Sequence, residues 1–426
     1  MNEVTMKTFI KNIVSKKIEC DVLVVGGGPA GSGAALMAAK NGARTILIDK
    51  KLAIGTPIEC GECIGSPLLK KFGINLPQNI IRYKHDGTAF YINKEIKVEN
   101  RSPQWKSISV DRRDLDKFLL YKAADAGAYV LVGAKLRDAE VEEDNTISLT
   151  IIETEKREIY IKPKVIVAAD GTFSTLRKIQ ECRKLKGYEI GRTVSYEITN
   201  VKLENPKMVQ MFFDDLTKDG YGYIIPLSDN SANVGLGRIG INRFPWEELE
   251  IFLAEHPLVT PQIENGRIIE IKKGETAITG MKLELKVGNV LYAGDAAGQN
   301  LSHVGEGAIP SHICGRIAGE IAAKAARSND LSILDKYPEA IMNSDIGLEL
   351  KMCEEIRDEV LKIWTSTLSI EKKCLLGGLL TSEVVPPSEK EKILTMLNRK
   401  DKKDISQCIL DYLNNIVNKH IKIGII

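Results

Sequence analysis

Apolar runs, helical stripes and alternating stretches follow one another along this chain in a definite order. Cys20–Val25, apolar apart from Asp21, is read as a buried strand. A Gly-rich turn and an Ala-rich helix to about Lys40 follow, and Thr45–Ile48 is a second buried strand, which completes a βαβ start. Asp114–Ala126 sets Leu115, Phe118, Leu119, Lys122 and Ala123 at helical spacing. Alternating strands fill 129–168 and end in the apolar run Val165–Ala168. From 188 to 280 the pattern is mainly strands, with one helix over Trp246–Glu255, and predicts a separate sheet. Val290–Tyr292 is a further buried strand leading into a helix from about Ile309 to Arg327. Beyond Leu331 the pattern is helical to the end, broken at Pro386–Pro387.

Composition narrows the class. The 426 residues are 43% hydrophobic and 27% charged, ordinary for a globular chain of roughly two to three domains. Lys plus Arg number 59 against 57 Asp plus Glu, and the basic residues are scattered, so nucleic acid is not an expected partner. Eight cysteines are too sparse for a secreted disulfide scaffold, the N-terminus reads as no signal peptide, and no apolar run approaches about 18 residues. The expectation is a cytoplasmic protein with reduced thiols. In residues 1–17, Phe9, Ile10, Ile13 and Val14 share a helical face among lysines. That is either a basic amphipathic helix for a membrane surface or an N-terminal extension docked on the core.

Gly26-Gly27-Gly28-Pro29-Ala30-Gly31 fits G-x-G-x-x-G between a strand and a helix. Gly26 permits the tight turn, Gly28 lets backbone approach a pyrophosphate, and Gly31 lets helix pack on strand. The helix N-terminus then offers free N–H groups to the phosphates. Asp49 ends the second strand, where a carboxylate can take ribose hydroxyls. Strand, helix and acid together predict dinucleotide binding.

Two further segments favour FAD. Val165–Gly171, with Asp170, Ser174 and Arg177, resembles the second motif of the FAD-dependent hydroxylase-like superfamily. Asn289–Ala297 resembles its third, whose aspartate, here Asp295, holds the ribityl chain. Gly305-Glu306-Gly307 follows where that superfamily sets a helix N-terminus against the flavin pyrimidine edge. The residues between narrow the resemblance to the geranylgeranyl reductase family, which includes archaeal lipid reductases. Pro57–Glu62 is similar to its P-x-x-C-G-E segment beside the flavin ring, and Val110–Asp116 to its v-D-R-x-x-[LF]-D. Tyr221–Pro226 is similar to Y-x-W-x-F-P, with Tyr and Ile in place of Trp and Phe, and Ser231–Gly237 continues the match.

The resemblance implies an α/β fold: a Rossmann-type FAD-binding domain interleaved with an antiparallel-sheet substrate domain, plus a helical C-terminal region. The expected boundaries are 1–17, an extension; 18–187 and 281–330, the FAD domain; 188–280, the substrate sheet; and 331–426, the helical region. Implied FAD contacts are Ala30, Asp49, Cys60, Gly61, Cys63, Arg112, Leu136, Asp295, Gly307 and Ala308, several through backbone. The chain departs from the family at Cys63, usually Gly, and at Leu301–Val304, where a proline is common.

Candidate chemistry sits at these departures. Cys60-Gly61-Glu62-Cys63 reads as a pocket segment, a dithiol or half a zinc site, but no second Cys pair or spaced His set completes the last. Cys60 is a candidate pocket residue at the reacting centre. His303 is either a proton donor or a hydrogen-bonded loop histidine. His312 reads as structural, and Glu62 and Glu306 as acids or solvated turn carboxylates. Tyr221 and Tyr223 share one strand face, as tunnel wall or sheet core. The expected activity is saturation of isoprenoid double bonds on a membrane lipid or its precursor. An external donor (NAD(P)H, ferredoxin or a deazaflavin) and transient membrane contact go with it. A flavin monooxygenase or a non-catalytic flavin- or lipid-binding protein are the alternatives.

Overall fold

The computed structural model describes residues 17–399, 409–415 and 417–426. The amphipathic face at Phe9–Val14 lies outside them. Lys17–Val25 forms the first strand, three residues longer at its start than the apolar run suggests. Its interior residues Val22, Leu23 and Val24 are fully buried. It pairs in parallel with Thr45–Asp49 on one side and Glu158–Ala168 on the other. Val290–Tyr292 and Tyr129–Val132 extend this parallel sheet outward. Helix α1, Pro29–Lys40, crosses between the first two strands. Helix α2, Arg112–Asp125, begins two residues before the apolar stripe, because Asp111 caps it by accepting a hydrogen bond from the Arg113 N–H at 2.8 Å.

Helix α3, Ala308–Ser328, packs on α1 at very short range. A Cβ built on Gly33 would lie 2.2 Å from the His312 carbonyl oxygen. On Gly315 or Gly319 it would lie 2.0 Å from the Ala30 or Ala34 carbonyl oxygen. Only bare glycines allow that approach, and it fixes both helix N-termini relative to one sheet. His312 ties the same crossing, its Nδ1 lying 3.1 Å from the Pro29 carbonyl oxygen; burial lowers its pKa to about 4.

The second sheet runs in the order 267–277, 190–199, 231–238, 220–228, 208–213, 87–92, 96–100, 421–425. Strands from outside 188–280 therefore join it, and the pairing of 87–92 with 208–213 is parallel. Ile421–Ile425 corrects the reading of a helical C-terminus: Ile421, Ile423 and Ile425 alternate with period two and the strand pairs antiparallel with 96–100.

Both faces of this sheet are covered. On one, Ala89, Phe212 and Ile224 pack on Leu249 and Phe252 of the helix at 246–255. On the other, Phe90, Met211, Phe213, Tyr223 and Ile225 face Leu375, Leu376 and Leu379. Those leucines belong to helix α5, Ile370–Thr381, which follows the long helix α4, Asp345–Trp364. Two-sided burial explains why these strands read as nearly continuous apolar runs. A small third sheet, 63–65, 107–110 and 81–85, joins the two halves. Among the described residues no helix is long and apolar enough to cross a membrane.

Candidate flavin site

The glycine turn is shaped by sterics. Gly26 has φ +104°, and a Cβ there would lie 2.2 Å from the Ala169 carbonyl oxygen; one on Gly31 would lie 1.7 Å from the Gly26 carbonyl oxygen. Gly28, by contrast, faces open space, with nothing within 4 Å of a built Cβ. Neither α1 nor α3 has a side chain capping its N-terminus, so the first N–H groups of both stay available. Asp49 accepts hydrogen bonds from the Gly27 N–H at 2.6 Å and the Lys51 N–H at 2.7 Å, which ties the second strand to the turn.

Asp295 stands in the short turn 294–297. Its carboxylate accepts from Thr276 Oγ1 at 2.9 Å, Thr172 Oγ1 at 3.2 Å and Asn300 Nδ2 at 3.2 Å. Burial raises its pKa against those hydrogen bonds. Gly307, the residue before α3, lies close to it. Arg177 supports the turn from behind through the Ala296 carbonyl and pairs with Glu284. The Asp170 carboxylate turns elsewhere: Oδ2 accepts from the Thr175 N–H at 2.7 Å. Its backbone touches the glycine turn, and its Oδ1 is buried with no protein partner. Leu136 is buried on the strand 134–141.

The Cys60–Cys63 segment faces two unlike surroundings. Glu62 is fully buried, at φ +65°, and corrects the reading of a solvated turn carboxylate. Its Oε2 meets Lys272 Nζ at 2.5 Å and Asn233 Nδ2 at 3.2 Å, and its Oε1 accepts from the Arg112 N–H at 3.0 Å. Lys272 also pairs with Glu197 at 2.9 Å, and Glu197 with Arg82 at 2.7 Å. Burial opposes the charge on Lys272, but Glu62 and Glu197 outweigh it and raise its pKa. Arg112 spans to Asp116 at 3.1 Å and lies beside Cys60. A built Cβ on Gly61 would touch Ile225 and Tyr223.

Cys63 and Val304 border the apolar layer between the second sheet and α5. Burial pushes the Cys63 thiol up to about 12, which argues against a ready thiolate. Cys60 and Cys63 are both free. Tyr221 and Tyr223 do share a face, with ring centroids 6.2 Å apart. Tyr221 Oη donates to the Val304 carbonyl at 2.5 Å, and Tyr223 Oη lies 3.1 Å from Thr193 Oγ1. Glu306 is likewise no solvated turn residue. It accepts from the Gly65 N–H at 3.0 Å, and burial raises it to about 7. His303 is buried, with Nε2 3.3 Å from Glu383 Oε1.

Sequence reasoning missed Thr172, Thr276 and Asn300 around Asp295, and Lys272, Glu197 and Arg82 around Glu62. Lone polar residues in strands carry no local mark of the partner that folding brings to them. Among the described residues no group of three or more His, Cys, Asp or Glu side chains is arranged to hold a metal ion.

A family model described as FAD dependent oxidoreductase matches residues 21–172. The digeranylgeranylglycerophospholipid reductase of Methanococcus aeolicus is 36% identical over 317 residues, 74% of this chain and 79% of that protein. The Methanocaldococcus jannaschii enzyme of the same name is 36% identical over 314 residues, 73% and 79% of the two chains. The chain belongs to the digeranylgeranylglycerophospholipid reductase family. Its fold matches a geranylgeranyl bacteriochlorophyll reductase-like protein of Thermoplasma acidophilum. That match has a TM-score of 0.77 and 24% identity, over 93% of this chain and all of that one.

FAD is the cofactor of this family member, and the geometry fits it. Gly28 faces open space, two helix N-termini are uncapped, and the Asp295 carboxylate stands beside Gly307 at the start of α3. The buried atoms Asn300 Oδ1, Ser302 Oγ and His303 Nδ1 have no protein partner in the turn beside Asp295.

Proposed function

We propose that this reductase saturates geranylgeranyl double bonds of membrane ether lipids or their precursors. The observation that carries the reading is the apolar layer of Phe90, Met211, Phe213 and Ile225 against α5, on which Cys63 and Val304 pack. Gly28 and the N-terminus of α1 would hold the pyrophosphate, Asp49 a ribose and Asp295 the ribityl chain. The N–H groups at Gly307–Ala308 would serve the pyrimidine edge, and Cys60, Gly61 and Arg112 would flank the ring. Bound FAD, once reduced, supplies a hydride. An isolated alkene offers no carbonyl to polarise, so the protein contributes chiefly position and exclusion of water. Tyr221 and Tyr223, held by Val304 and Thr193, would wall the inner end of the lipid path.

The reductant comes from outside the chain: NAD(P)H, ferredoxin or a deazaflavin. A lipid substrate calls for transient contact with a membrane surface. The test is anaerobic incubation of dithionite-reduced holoenzyme with geranylgeranylated glycerophospholipids, read by product mass. A gain of two hydrogens per double bond is expected. Unchanged lipid under argon, with oxygenated product in air and NADPH, would overturn the reading in favour of a monooxygenase.

A further inference from the structure

Among the described residues four histidine side chains are buried, and His303 is the one with a ring nitrogen that is fully buried and has no protein partner. His85 uses both ring nitrogens, toward Ser107 Oγ at 2.9 Å and the Pro226 carbonyl at 2.9 Å. His256 does the same, toward Asp214 Oδ2 at 2.7 Å and the Leu258 N–H at 3.2 Å. His303 uses one: Nε2 meets Glu383, while Nδ1 is buried without a protein partner. His312 bonds the Pro29 carbonyl through Nδ1. A fully buried donor without a partner costs about 1–3 kcal/mol, so packing alone does not account for Nδ1 of His303.

The turn that carries that nitrogen joins the Asp295 turn to the apolar layer. His303 lies in the turn between Asp295 and the start of α3. Its neighbour Val304 packs in the apolar layer and is pinned by Tyr221. Its side chain is 3% exposed, whereas that of Glu383 is 25% exposed, so the pair leads from solvent to the interior. Glu383 follows α5 at φ +57°, a backbone state unusual for a side chain of this size, and its N–H bonds the Leu380 carbonyl at 3.0 Å. The other titratable groups of this corner are Glu306, Glu349 and Cys353.

We propose that Glu383 and His303 form a proton relay, in which His303 Nδ1 gives the second hydrogen of each reduction and Glu383 restores it from solvent. The proposal rests on the reductase reading. As the alkene π bond breaks, one carbon takes the flavin hydride and the other takes the Nδ1 proton. The flavin is left oxidised and the imidazole neutral; a solvent proton then passes through Glu383, and the external reductant restores the flavin. His303 is the catalytic residue and Glu383 the positioning one.

The test is single-turnover reoxidation of pre-reduced holoenzyme by a geranylgeranylated phospholipid under argon. His303→Gln can still bond Glu383 but has no proton to give. It is expected to slow reoxidation about 100-fold or more, with FAD content and lipid affinity unchanged. Glu383→Gln is expected to slow the step less and to displace its pH profile. Wild-type rates and pH profiles in both variants would overturn the relay. Should His303→Gln fail to fold, a wild-type rate and profile in Glu383→Gln alone would overturn it. A wild-type enzyme whose reduced flavin ignores every geranylgeranylated lipid would overturn the reductase reading itself.

Discussion

The two sides of the Cys60–Gly65 segment are built on opposite principles. Toward the strands 190–199 and 267–277, Glu62, Lys272, Glu197, Arg82 and Asn233 are packed into mutual satisfaction. Toward the strand 220–228 and α5, Cys63, Tyr221 and Val304 face hydrocarbon, with polar atoms left unused in the adjoining turn. A saturated charge cluster has one good geometry and holds the segment still. An apolar face with few polar anchors takes a hydrocarbon chain without demanding one register. A charged, fully paired face and an apolar face are thus divided between opposite sides of six residues.

The sharpest way to break the comparison is to unpair the charged face. Lys272→Met leaves buried Glu62 with only Arg82, at 3.8 Å, as a cation and is expected to cost about 3–5 kcal/mol in denaturant unfolding, with loss of bound FAD. Adding Glu62→Gln to that variant should recover much of the loss, since the cost lies in the stranded charge. A smaller effect is expected at the α1–α3 crossing. Gly315→Val places side-chain atoms against the Ala30 carbonyl and should cost about 1–3 kcal/mol, read as lower Tm and lower FAD occupancy.

The smallest effect concerns pH. Burial raises the Glu306 carboxyl from its ordinary 4.5 to about 7, so the fold favours the protonated acid. That contribution is complete below about pH 4.5 and drains away as pH rises through about 7. Glu306→Gln, neutral throughout, should flatten the fall in Tm across this window. An unchanged slope would place the titration elsewhere.

What was legible in the chain follows the same division. The parallel sheet announced itself, because Val22–Val25 and Val165–Ala168 are buried on both faces and Gly26, Gly28 and Gly31 answer to local sterics. The α3 helix was read to within a residue at each end for the same local reason. The strand at 421–425 was missed because five alternating residues after a long helical stretch carry little periodic signal. Glu62 stayed open between an acid and a solvated turn carboxylate because its partner Lys272 lies 210 positions away, and nothing near a Gly-Glu dipeptide tells a buried ion pair from a wet turn. Glu383 went unnoticed for the same reason: its bond to His303 exists only once α5 has docked on the sheet.

The most direct measurement sets two lipids against one reduced enzyme. Pre-reduced holoenzyme is mixed under argon with a geranylgeranylated phospholipid or with its fully saturated counterpart, and the visible flavin band is followed. The account predicts prompt reoxidation by the unsaturated lipid, with saturated product recovered, and none by the saturated one. Equal silence from both lipids, or equal reoxidation by both, would contradict it.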